Sequence, residues 1–352
     1  MQIIGVDYVP VTARTESSFG TETIEVAIAL DTTGSMEPGN KLVDAKKAAS
    51  DLVDTLFGPS GVNPRVKVAL VPFHYYVNIG TAYKNASWLT GAADVSVSYA
   101  AGCYDTYPNA IYGTPIVHSY LDDGVPKTWT ETPVISYGTP VPSCWPAGSY
   151  TNSWGGVVGS RNYPADLQAD VSVGNPVPAV MGAAYPAPLM RLSNDPAQIK
   201  AQINALSPSG ETFIAPGLLW GWRVLSPNLP FADGAPYNGN VKKILILMTD
   251  GANTVSPSFP NHDNSDPVKA HDSGDATSAD RLTADTCANI KAPAVGITVY
   301  TIAFQVTDTS IRNILQSCAS TPANYYNATS NAAMLSAFAQ IANSLMALSL
   351  SK

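Results

Sequence analysis

The chain has 352 residues, 45% of them hydrophobic and only 13% charged, with a formal net charge of −8. That acidic balance excludes a phosphate backbone as partner, because nucleic-acid binding needs clustered Lys and Arg. No apolar run approaches the ~20 residues of a membrane span, and the length allows one large or two ordinary domains. With so few charges, Ser, Thr, Asn, Gly and Tyr must supply the surface, the texture of a secreted or cell-surface protein.

Met1 to Gly5 is too short for a signal peptide. Residues 1–23 read as an N-terminal arm: Val9-Pro10-Val11-Thr12-Ala13 suits an edge strand, since Pro10 forbids a central one, and a Ser/Thr/Glu/Gly-rich linker follows. Residues 24–30 are near-continuously apolar, as in a parallel strand covered on both faces, and they end at Asp31-Thr32-Thr33-Gly34-Ser35-Met36. Asp31, Thr33 and Ser35 alternate, so an extended loop can converge them on one point. Such hard oxygens suit Mg²⁺ or Mn²⁺ over softer metals.

Asn40 is placed to cap a helix whose Leu42, Ala45, Ala49, Leu52, Val53 and Leu56 recur at helical spacing, with Gly58-Pro59 stopping it. Residues 66–73 are a second strand, and strand–helix–strand order begins a doubly wound fold. From residue 75 to 189 the texture changes to Tyr, Trp, Pro, Gly and Asn, which predicts an inserted lobe of short strands and long loops packed on the core. Tyr75, Tyr76, Tyr99, Tyr104, Tyr107, Trp129, Trp145, Tyr150 and Trp154 are either a contact surface or the lobe's own core.

The core resumes with a helix at Asp195-Pro196. Ser209-Gly210-Glu211-Thr212 sets a hydroxyl in a turn before a helix over residues 213–225, where Trp220 and Trp222 read as packing. Residues 243–249 form another buried strand, ending in Asp250-Gly251. A polar loop from 252 to 277 carries His262, Asp263, Asp266, His271, Asp272 and Asp275; it is a candidate second cation site, but it lacks EF-hand order and reads first as solvated charge. A helix with Arg281, Leu282 and Cys287, a β-branched strand over 296–304, a short helix capped by Asp308 and a last helix over 332–348 complete the alternation.

Cys103, Cys144, Cys287 and Cys318 allow three pairings, and none is spaced for a C-x-x-C site. Either they are reduced core thiols or they form two disulfides in an oxidising compartment. The expected pairs are Cys287–Cys318, linking the helices before and after the 296–304 strand, and Cys103–Cys144, closing the insert.

Asp31-x-Thr33-x-Ser35, Thr212 and Asp250 match, in order and separation, the metal-ion-dependent adhesion site (MIDAS) of von Willebrand factor A (VWA) domains, with Thr33 in place of the commoner Ser. The run Ile-Ala-Pro-Gly-Leu-Leu-Trp-Gly-Trp-Arg-Val-Leu-Ser-Pro at 214–227 and Tyr-Tyr-Asn-Ala at 325–328, followed by an amphipathic helix, resembles TadG-type proteins of bacterial tight-adherence (Tad) pilus systems. That resemblance covers about residues 20–74 and 190–352; in the insert only Trp154-Gly155-Gly156 through Arg161 is familiar.

The resemblance implies a doubly wound, mainly parallel α/β sheet formed by residues 24–74 and 190–352. Ser35, Thr33 and Thr212 would hold Mg²⁺ or Mn²⁺ directly, with Asp31 and Asp250 direct or through water, and a carboxylate from a protein partner would complete the shell. It implies a non-enzymatic adhesion module outside the cytoplasm, at a cell surface, on a pilus or in the periplasm. The membrane helix with which TadG-like proteins begin is not in this chain. A structural pilus or envelope component is the alternative. A metal-dependent hydrolase is weaker: it needs a general base or second metal, no histidine adjoins a motif, and G-x-S-x-G, P-loop and H-E-x-x-H patterns are absent.

Overall fold

The computed structural model describes residues 23–122, 125–183, 186–237, 240–256 and 276–350. The expected N-terminal arm and the acidic 262–275 loop lie outside the described residues. The central sheet contains β1 (Thr23–Asp31), β2 (Val66–Phe73), β3 (Met190–Ser193), β4 (Val241–Thr249), β5 (Thr298–Phe304) and β6 (Tyr325–Ala328). Its order is β3-β2-β1-β4-β5-β6. All neighbours are parallel except β3, which runs antiparallel on the edge beside β2.

The apolar runs are continuous because each strand buries both faces. Ile24, Val26, Ile28 and Leu30 of β1 face a cluster completed by α1 (Lys41–Phe57), α2 (Pro196–Asn204) and α6 (Asn331–Leu350). Ala27 and Ala29 face the cluster of α3 (Ile214–Leu225), α4 (Ala276–Ile290) and α5 (Thr309–Cys318). The small residues are on the α3 side for a steric reason. A Cβ added to Gly221 would lie 2.7 Å from Leu245 Cδ1, and one at Gly217 would enter the Phe73 ring, so α3 sits on the sheet closer than side chains would allow. All twelve residues of α3 are buried, as expected of a helix apolar all round and covered on both sides.

Its outer cover comes from residues 75–189, which divide in two. One part is a four-stranded sheet of Val77–Asn78, Leu89–Thr90, Trp154–Val158 and Val177–Met181. Trp88, Trp154, Val158 and Val177 join the α3 cluster. Two guanidiniums clamp the 168–170 segment between them: Arg223 of α3 donates from Nε to Ala169 O (3.0 Å) and Arg161 from a terminal nitrogen to Asp170 O (2.7 Å), while both reach Gln168 O. That clamp gives Arg161 its structural role.

The other part is not a packed lobe. Residues 95–122 and 125–152 form a two-stranded antiparallel ribbon in four successive paired segments, from Val95 opposite Asn152 at its base to Asp122 opposite Val125. Tyr99, Tyr104, Trp129, Trp145 and Tyr150 are exposed on it, whereas Tyr76 and Trp154 are buried in the sheet part. The aromatics are thus buried in one half of the segment and exposed in the other.

Both expected disulfides form, Cys103–Cys144 across the ribbon and Cys287–Cys318 between α4 and α5. Trp220 and Trp222 are buried. The expected Asn40 cap is corrected: Asn40 precedes α1 but adopts φ 60° and makes no side-chain capping bond, because its backbone turns sharply there after Gly39. Asp195 and Asp308 do cap α2 and α5. Among the described residues no helix is long and apolar enough to cross a membrane.

Candidate metal centre

In the sheet the chain moves outward from β1 through β2 to β3 on one side, and from β4 through β5 to β6 on the other. The β1/β4 boundary is therefore the switch point, whose carboxyl edge is where open α/β sheets bind ligands. Leu30 pairs with Met248, which sets Asp31 beside Thr249 and Asp250. The first loop reaches them because Thr32 is tied twice to Phe73 O, by its backbone N–H (2.9 Å) and its hydroxyl (3.0 Å). The 209–212 turn is bound on by Ser209 N–H to Thr32 O and Gly34 N–H to Gly210 O.

The five side chains converge. Asp31 Oδ1 accepts from Thr33 N–H (2.8 Å), and Oδ2 accepts from the Thr249 hydroxyl (2.6 Å). The Thr33 and Ser35 hydroxyl oxygens are 3.0 Å apart, and Ser35 Oγ donates to Asp250 Oδ1 at 2.6 Å. Gly251 marks the position of Thr212: a Cβ there would lie 3.8 Å from Ser35 Oγ and 3.9 Å from Thr212 Oγ1. Thr212 is held by its N–H to Thr254 Oγ1 (2.9 Å), and Asn253 Oδ1 accepts from Ile214 N–H at the start of α3.

All five residues are buried. Burial, and then the neighbouring Asp250 charge, push the Asp31 carboxyl up from 3.8 to about 7. Two carboxylates facing three hydroxyl oxygens fit a hard divalent cation, which would relieve that repulsion. Among the described residues there is no cluster of three or more His, Cys, Asp or Glu side chains suited to a metal. A cation here would therefore depend on the hydroxyls as well as the two carboxylates.

Three further residues belong to this edge. Thr249 holds Asp31. Lys41, at the start of α1, donates to Asp250 Oδ2 (2.6 Å) and to Ser35 O (3.2 Å), contacts that offset its unfavourable place at the positive end of the helix dipole. His74 follows β2, stacks on Tyr75 with ring centroids 4.4 Å apart, and its Nδ1 accepts from Tyr76 N–H. The expectation that no histidine adjoins a motif needs correcting in space: Phe213 N–H bonds to His74 O, beside the Thr212 turn.

No protein-family model matches the chain, and no curated protein matches it in sequence. Among solved structures it is similar to the vWF domain of the type V pili tip protein Mfa5 from Porphyromonas gingivalis, with 13% identity over 94% of this chain and 97% of that one and a TM-score of 0.48. It is similar also to the pilus adhesin SpaC from Lactobacillus rhamnosus GG in its open conformation, with 14% identity, 93% of this chain, 30% of that one and a TM-score of 0.47. Proximal thread matrix protein 1 from the mussel byssus, in a structure with a zinc-occupied MIDAS motif, matches at 12% identity over 94% of this chain and 47% of that one, with a TM-score of 0.41. The chain spans about a third of the length of the SpaC adhesin. Similarity at this level transfers no function.

Proposed function

We propose that the chain is a doubly wound VWA-type domain, interrupted by residues 75–189, whose MIDAS binds a protein carboxylate through Mg²⁺ or Mn²⁺ in a bacterial surface or Tad-type pilus system. The observation that carries this reading is the meeting of Asp31, Thr33, Ser35, Thr212 and Asp250 at the carboxyl edge of the switch point.

In it the Thr33, Ser35 and Thr212 oxygens hold the cation. Asp31 already serves Thr33 and Thr249 with its two oxygens, and Asp250 serves Ser35 and Lys41. Asp250 therefore orients the Ser35 hydroxyl and Asp31 the Thr33 backbone, and both contribute charge, directly or through water. A bound Mg²⁺ supplies an electrophilic position for an external carboxylate oxygen. In this reading the site is one of recognition, in which His74 Nδ1, engaged by Tyr76 N–H, has no part.

Water-proton relaxation with Mn²⁺ tests the reading. Mn²⁺ should bind with 1:1 stoichiometry, and a capped aspartate should lower the relaxation enhancement by displacing ordered water. Binding that Ser35→Ala leaves unchanged, or a signal indifferent to carboxylate, would remove it.

A further inference from the structure

We propose that one face of the ribbon is the second half of the ligand site, receiving the apolar or aromatic side chains that flank the partner's carboxylate. This rests on reading the Asp31 set as a carboxylate-binding cation site. In the outermost paired segment, Ile116–Asp122 against Val125–Glu131, Ile116 stands opposite Glu131, His118 opposite Trp129 and Tyr120 opposite Lys127. Directly opposed residues in an antiparallel pair share a face. Lys127 of that face bonds to Glu37 Oε2 at 2.5 Å, and Glu37 lies two residues beyond Ser35. The ribbon's aromatic face is therefore turned toward the loop that carries the metal-binding hydroxyls.

That face is built in advance of a ligand. The His118 ring stacks on Trp129 with centroids 4.3 Å apart and planes 15° from parallel, and His118 Nε2 lies 2.8 Å from Glu131 Oε2. Ring positions set beforehand lower the ordering cost of binding. Tyr120 and Trp129 are nevertheless about half exposed (50% and 51%), and among the described residues no third strand pairs with the ribbon. A two-stranded ribbon with rings in water on this scale marks a contact surface.

Charge selects the occupant. The chain's net charge of −8 opposes a partner segment that is acidic beyond the one carboxylate taken by the cation, while Glu37 and Glu131 are bonded to Lys127 and His118. The chemistry that fits is one carboxylate between apolar neighbours, with a basic residue beyond.

Two capped peptides, Gly-Phe-Asp-Phe-Lys and Gly-Ala-Asp-Ala-Lys, titrated into the full chain in Mg²⁺, test this. The Phe peptide should bind roughly tenfold tighter, the scale of one or two ring contacts. The preference should vanish in Tyr120→Ala/Trp129→Ala, while the Mg²⁺-induced rise in melting temperature stays as in the wild type. Equal binding of the two peptides, binding of neither by a chain that takes up Mg²⁺, or a preference surviving the double substitution would overturn the proposal. Self-association lost in the double variant would make a second copy of the chain the occupant of this face and would overturn it equally. Failure to take up Mg²⁺ at all would instead strike the reading underneath.

Discussion

Asp31 carries the pH dependence of the site. Its carboxyl is raised from 3.8 to about 7 in the folded protein, so between those values the native state keeps a proton that the unfolded chain has released. Stability of the cation-free protein should therefore fall as pH rises from about 4 to about 7 and level off above. Melting temperatures in chelator across that window check this, and Asp31→Asn should show a shallower slope. Divalent uptake expels the same proton, so apparent affinity should climb with pH over the same range. Lys41 acts in the opposite sense, bringing a positive charge 2.6 Å from Asp250 Oδ2. Lys41→Met should tighten Mg²⁺ binding several-fold by calorimetry, because it frees the Asp250 carboxylate from a competing positive charge, an effect on the order of 1 kcal/mol. Weaker binding would mean that the lysine chiefly positions Asp250.

The elements that place these residues follow from pattern to different degrees. β1 is legible because a strand covered on both faces must be apolar throughout, and the abrupt change to Asp31 marks its end. The Asp31, Thr33 and Ser35 alternation and the Asp250-Gly251 ending are equally readable. Lys41 and Thr249 are not, since their roles depend on contacts across 209 and 218 residues of chain. Asn40 misleads because its type suits a cap while its left-handed backbone turns the side chain away. Glu25 and Lys243 lie inside two apolar strands, and register alone pairs them. Lys243 Nζ is 2.6 Å from Glu25 Oε2 and also bonds Leu225 O, with both side chains 2% exposed. Burial holds the Lys243 amine below its ordinary value. Glu25→Ala should cost about 3–5 kcal/mol in denaturant unfolding by leaving a buried charge unpaired. Divalent affinity should not change, because the pair sits at the opposite end of the strands from Asp31.

At the scale of the molecule, the 75–189 segment serves two purposes that composition could not separate, since both halves are rich in aromatics. The sheet part completes the burial of α3, so removing the whole segment would uncover Trp220, Leu218 and their neighbours. The ribbon covers none of this. Replacing residues 96–151 by Asn-Gly should close a short hairpin at the Val95–Asn152 pair. A melting temperature within a few degrees of the full chain is expected, because what is removed is largely exposed. Loss of cooperative melting would show the ribbon to be part of the core. The central claim, a divalent cation held at the carboxyl edge of β1 and β4, is tested most directly by thermal melts of the wild type and Asp31→Ala, each with and without Mg²⁺. A bound ligand stabilises only through its occupancy of the native state. The wild type should therefore melt higher in Mg²⁺ while Asp31→Ala, still folded, shows no shift; an equal shift in both would contradict the account.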